Sequence, residues 1–135
     1  MMSVLRSEAL PLKSTADIVN MRQAVRRYAV EAGFSLVDQT KLVTAASEVA
    51  RNTIVYGLGG SAKLELLNND TRKGVHIVFE DSGPGIADIT LAMKDGYTTG
   101  TGLGLGLGGA KRLVNEFRIE SRPGEGTRVE LTRWK

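Results

Sequence analysis

Residues 96–117 read GYTTGTGLGLGLGGAKRLVNEF, seven glycines running directly into a helix-like stretch. A glycine inside regular structure costs about 0.5–1 kcal/mol relative to alanine, so a run this rich implies a backbone that needs its freedom. Glycine lets main-chain N–H groups close around phosphate oxygens, and a helix start behind the loop adds partial positive charge. The alternation of glycine with leucine from Gly102 to Leu107 fits such a loop, with backbone facing a ligand and leucines anchored in the core. Standard phosphate motifs fail here. A Walker loop needs Lys-Ser/Thr after its last glycine, and Ala110 follows Gly109. Gly104, Gly106 and Gly109 match GxGxxG, yet TTGTG rather than an apolar strand precedes them and a hairpin pattern follows, which excludes a dinucleotide fold.

The flanks give the architecture. SVLRSEALPL reads as an opening strand ended by Pro11, and Ser14 caps a helix over Thr15–Glu31 whose Ile18, Met21, Val25 and Tyr28 form one apolar stripe. Gly33 stops that helix. Ser35 opens a second, with Leu42, Ala45, Val49 and Ile54 in helical period until Gly57, Gly59 and Gly60 close it. AKLELLN and GVHIVFED, joined by NNDTRK, alternate as an antiparallel hairpin with Val75, Ile77 and Phe79 on one side. Beyond the glycines, a helix is expected around Gly109 to Glu116, then FRIES, the turn RPGEG and TRVELTRW as a second hairpin. The order predicts an α+β fold, a two-layer α/β sandwich with helices on one face of a mostly antiparallel sheet.

Length and composition bound the function. A chain of 135 residues is read as one domain spanning 1–135, able to bury about two-thirds of its unfolded surface. Charged residues are 24 % and hydrophobic ones 41 %, and no apolar run nears the roughly 20 residues of a membrane span. The absence of cysteine rules out disulfides and thiolate metal sites, and MMSVLRSEALPLK lacks the apolar core of a signal peptide; a cytoplasmic location is expected. The net charge of +3 comes with no basic run interleaved with aromatics, so neither nucleic acid nor membrane is an expected partner. His76, the sole histidine, is expected to be structural, since one histidine builds neither a catalytic triad nor a metal cluster. Trp134 is expected to anchor packing.

Two further stretches fix the reading of the glycines. FEDSGPGIAD places Asp81, Gly83 and Gly85 in a DxGxG pattern at a strand end, and SEVARN places Glu48 and Asn52 on one helix face. In order and chemistry these, with GLGLG, resemble the N, G1 and G2 boxes of the GHKL ATPase/kinase superfamily, whose ATP-binding fold is the Bergerat fold. Gly126 and Thr127 in GEGTRVEL resemble its final GT motif. SEVARNTIVYG, the short segment from Asp95 to Phe117 and SRPGEGT are most similar to the RsbT-type switch serine/threonine kinases of bacterial stressosome and partner-switching systems. Sister anti-sigma-factor kinases share the boxes.

The resemblance implies ATP and Mg²⁺ as cofactors. It gives Asp81 the adenine 6-amino group, with Gly83 and Gly85 letting the purine approach the backbone. Asn52 is the implied metal ligand, through a neutral amide oxygen. Glu48 is the implied catalytic base. Leu103, Gly104, Leu105, Gly106 and Leu107, with Gly102, are expected to cradle the phosphates, with Thr98, Thr99 and Thr101 of a short lid as hydroxyl contacts and Thr127 of the GT motif as a further nucleotide-binding residue. A Glu48/Arg51 ion pair on a solvated face is the structural alternative for the helix. The implied partners are a STAS-domain antagonist as substrate and the regulatory region of a PP2C-type phosphatase; an anti-sigma factor binding a sigma factor is the alternative function.

Overall fold

The computed structural model describes residues 2–86, 89–93 and 106–135. Strand β1 (Ser3–Leu12) is followed by helices α1 (Thr15–Glu31) and α2 (Leu36–Val55) and by the hairpin β2 (Gly60–Asn68) and β3 (Lys73–Asp81). The one-turn α3 (Ile89–Ala92) and the short α4 (Gly106–Arg112) precede a second hairpin, β4 (Glu116–Arg122) and β5 (Gly126–Trp134). The five strands form one sheet in the order β1-β2-β3-β5-β4, with every neighbouring pair antiparallel. This is the expected α+β sandwich.

The helices form where caps and period agree. The Asp17 carboxylate accepts the backbone N–H groups of Lys13 and of the N-cap Ser14 at 2.8 and 3.3 Å, pairing the donors of the chain entering α1. At the other end Gly33 adopts φ +83°, a left-handed conformation, and Phe34 N–H donates to the Ala29 carbonyl, so the chain reverses. Ser35 then caps α2 by accepting from Asp38 N–H at 3.2 Å. Met21, Val25 and Tyr28 of α1 and Leu42, Ala45 and Val49 of α2 are buried, whereas Ile18 and Ile54 are only partly so. They meet Leu64, Val75, Ile77, Phe79, Val129 and Leu131 on the inner face of the sheet. The outer face carries His76, held between Glu65 at 2.8 Å and Glu130 at 3.3 Å, and Trp134, whose Nε1–H donates to Glu116.

Two boundaries differ from the sequence reading. β1 runs through Pro11 to Leu12, pairing Pro11 with Ser61, because an edge strand with one neighbour tolerates a missing N–H donor. The last helix spans Gly106–Arg112 rather than Gly109–Glu116. Asn115 already belongs to the sheet: its N–H donates to the Thr132 carbonyl at 3.0 Å and its side chain accepts Trp134 N–H at 2.7 Å, so Glu116 begins β4. Gly106 and Leu107, expected in a loop, thus form the first turn of α4. The sequence reading gives no counterpart to α3.

Candidate functional site

A cleft opens where the second half of α2 faces the ends of β3 and β5 and the start of α4. Glu48, Asn52 and Tyr56 of α2 and its exit line one wall, Asp81 and Thr127 the strand ends, and Gly106 and Leu107 the α4 side. Phe79 and Val129 form an apolar floor that is almost fully buried. α2 can present its wall because residues four apart share a helix face, so the turn that sends Val49 and Ala45 into the core sends Glu48 and Asn52 toward the cleft.

Glu48 is 4 % exposed, a carboxylate otherwise enclosed by protein. The solvated-face alternative for it therefore fails. Asn52, one turn on, donates its side-chain N–H to the Glu48 carbonyl at 3.0 Å. Since only the NH₂ end of an amide can face that acceptor, Oδ1 is the atom left for a ligand. The neutral oxygen suits a hard divalent cation, and the donor chemistry fits Mg²⁺.

Asp81 ends β3, and its Oδ1 accepts Gly83 N–H at 2.9 Å, a short turn that fixes the carboxylate. Gly57, just past α2, packs its α-carbon directly on that carboxylate: a Cβ there would overlap Cγ and Oδ2. Gly83 in turn lies on the Gly57 backbone, where a Cβ would come within 2.6 Å of the carbonyl oxygen. Gly83 therefore shapes Asp81 from behind, while Gly85, at φ +76°, lines the cleft. Thr127 Oγ1 lies 2.7 Å from Ser121 Oγ, which also accepts Ile86 N–H at 2.7 Å and donates to the Gly126 carbonyl at 3.1 Å. With the single Ser121 proton on that carbonyl, Thr127 donates to Ser121 and keeps lone pairs for a ligand.

Among the expected residues, Glu48, Asn52, Asp81, Gly85, Gly106, Leu107 and Thr127 come together; Thr98, Thr99, Thr101, Gly102, Leu103, Gly104 and Leu105 lie outside the described residues. The sequence reading missed Gly57, Phe79, Ile86, Val129 and the brace residue Ser121. Phe79 and Val129 were legible in kind, as inward residues two positions from Asp81 and Thr127 on their strands. Gly57 carried only the signal of a helix stop.

Residues 37–135 match the model of the histidine kinase-, DNA gyrase B- and HSP90-like ATPases. The chain belongs to this ATPase family. Within it, the chain is 47 % identical to the serine/threonine-protein kinase RsbT of Bacillus subtilis (strain 168), over 87 % of this chain and 89 % of that one. It is 32 % identical to an anti-sigma F factor of Clostridium novyi (strain NT), over 82 % of this chain and 84 % of that one. Among solved structures it resembles the RsbU and RsbW domains of Rv1364c from Mycobacterium tuberculosis, with a TM-score of 0.66 and 21 % identity, covering 96 % of this chain and 33 % of that one. The SiaB-SiaC complex from Pseudomonas aeruginosa shares the fold at a TM-score of 0.53 and 14 % identity, covering 98 % and 91 %. Among the described residues no helix is long and apolar enough to cross a membrane.

Proposed function

We propose that this ATPase-family chain is an ATP-dependent protein serine/threonine kinase of a bacterial partner-switching pathway, phosphorylating a STAS-domain antagonist and engaging the regulatory region of a PP2C-type phosphatase. The 47 % identity to RsbT supports the kinase assignment. The observation that carries the chemistry is the pairing on α2: a buried carboxylate at Glu48 one turn from an Asn52 oxygen freed for a cation. Asp81 holds the adenine amino group, and Phe79 and Val129 take the ring face. Asn52 holds Mg²⁺, which supplies neutralisation and orientation of the triphosphate when bound. Glu48 takes the proton from the acceptor hydroxyl as the γ-phosphoryl group leaves ADP. Gly106 and Leu107, with the glycine run before them, cradle the phosphates.

Labelled ATP and Mg²⁺ incubated with this protein and a STAS protein encoded beside it should label the STAS protein on serine or threonine. The absence of both nucleotide binding and transfer, with the protein folded, would overturn the assignment. The 32 % identity to an anti-sigma F factor favours a second reading, sequestration of a sigma factor. Parallel pull-downs with a sigma factor and with the phosphatase region separate the two.

A further inference from the structure

Arg51 lines the same cleft from α2, three positions after Glu48 and one before Asn52. Its Nε is buried and has no hydrogen-bond partner among the described residues. A guanidinium is permanently charged and presents a planar fork of N–H donors, so a buried unpaired Nε beside a cleft marks a group waiting for an acceptor. The roles assigned above to Glu48, Asn52 and Asp81 leave Arg51 unused.

Charge in the cleft points to what that acceptor is. Of the charged residues described on its walls, Glu48 and Asp81 are carboxylates and Arg51 is the cation. Lys111 and Arg112, in the last turn of α4, are exposed and do not line the cleft. Among the described residues, a nucleotide triphosphate carrying about four negative charges would thus meet two carboxylates and one positive charge, that of Arg51. Position along the helix narrows the choice further. With a rise of about 1.5 Å per residue, Arg51 sits level with Asn52 and about one turn from Glu48, whereas Asp81 lies against Gly57, six residues further along the chain.

Resting on the kinase reading above, we infer that Arg51 is a catalytic residue that grips the terminal phosphoryl group of the nucleotide. Its guanidinium donates to the non-bridging γ-oxygens. In the transfer step the bond from Pγ to the β–γ bridging oxygen breaks and the bond from Pγ to the acceptor oxygen forms. The acceptor proton passes to Glu48, ADP leaves with the electron pair, and Arg51 offsets charge on the equatorial oxygens throughout. Asp81 reads the base, and Arg51 reads whether a third phosphate is present.

The test compares calorimetric affinities for Mg²⁺ with AMP-PNP, a non-transferable triphosphate, and with ADP. Arg51→Ala should weaken AMP-PNP binding about 20-fold or more while ADP changes less than about threefold. Arg51→Lys should recover part of the loss, since it restores charge without the fork. Arg51→Met keeps the aliphatic stem and should reproduce the alanine result, which separates charge from packing should Arg51→Ala unfold. Equal loss for both nucleotides, or no loss for either, overturns the role. Wild-type protein that binds neither nucleotide overturns the ATP reading itself, whereas wild-type binding with an unselective variant overturns only Arg51.

Discussion

Glu48, at 4 % exposure, cannot be explained as a surface charge, and burying a carboxylate for no purpose would be costly. In the base role proposed above, it should be needed for proton transfer and not for holding the nucleotide. Glu48→Ala is therefore expected to cut phosphoryl transfer by roughly 10²–10⁴, while the affinity for MgATP measured by calorimetry stays nearly level. Asp81 should behave in the opposite way. If Asp81 reads adenine as proposed, Asp81→Asn removes the charge and turns an NH₂ donor toward the base's amino group. Loss of a charged hydrogen bond, about 1.5–3 kcal/mol, should weaken nucleotide binding on the order of 10- to 100-fold. Gly57→Ala should weaken it comparably although Gly57 itself offers the ligand no side chain, because the added Cβ takes the space of the Asp81 carboxylate; unchanged affinity in that variant would refute the packing argument. Glu48, Asn52 and Asp81 could be singled out because short motifs along the chain resemble the family's boxes, and the fold does bring all three to one cleft. Gly57 could not be, since its demand for a hydrogen comes from a residue on β3 that only the folded chain brings against it.

At the scale of elements, Arg133 of β5 holds the helical layer to the sheet. Its guanidinium donates to the Leu113 carbonyl just beyond α4 and to the Asp38 carboxylate in the first turn of α2, each at 2.7 Å. The Arg133 hydrogen bond holds the Asp38 carboxyl below its usual range. A depressed folded value means that the unfolded chain takes up the proton first as acid is added. The pair's stabilisation is thus present above the unfolded value of about 3.9 and is lost as pH falls through the folded value. Thermal melts of wild type and Asp38→Asn should differ at pH 6, with the gap narrowing only as the pH falls below about 4; a gap unaffected by acid would argue against the pair as its cause. Arg133 itself reads in sequence as one of several alternating charges of a strand, and its bridging role rests on partners 20 and 95 residues away. The same logic explains the misplaced α4. Its glycines hide the helix start, and its end is set by Asn115 joining β5, a long-range pairing that competes with the helix and wins. Caps and stripes placed α1 and α2 because those signals are local.

At the scale of the molecule, hairpin signals anticipated β2 with β3 and β4 with β5, but not that β5 inserts between β3 and β4 to give β1-β2-β3-β5-β4. That insertion matters for function. It sets Thr127 opposite Asp81 and Val129 opposite Phe79, so the cleft floor exists only when the two hairpins have joined. Other described parts of the walls come from α2 and α4, packed on one core through Leu42, Val49, Leu107 and Ala110, and from Gly85, Ile86 and Ala92. A nucleotide bound there contacts pieces that are far apart in sequence, and the unfolded chain has no equivalent site. Ligand binding restricted to the folded state stabilises it by RT ln(1 + [L]/Kd), about 2.7 kcal/mol at 100 times Kd. For a domain of this size that should raise the melting temperature on the order of 10 °C. Trp134, the only tryptophan, stacks over Gly74 on the outer face and reports the transition by fluorescence without touching the cleft. MgATP and MgADP should both produce the shift in wild type and lose most of it in Asp81→Asn. A shift that survives in that variant would place the nucleotide elsewhere on the protein.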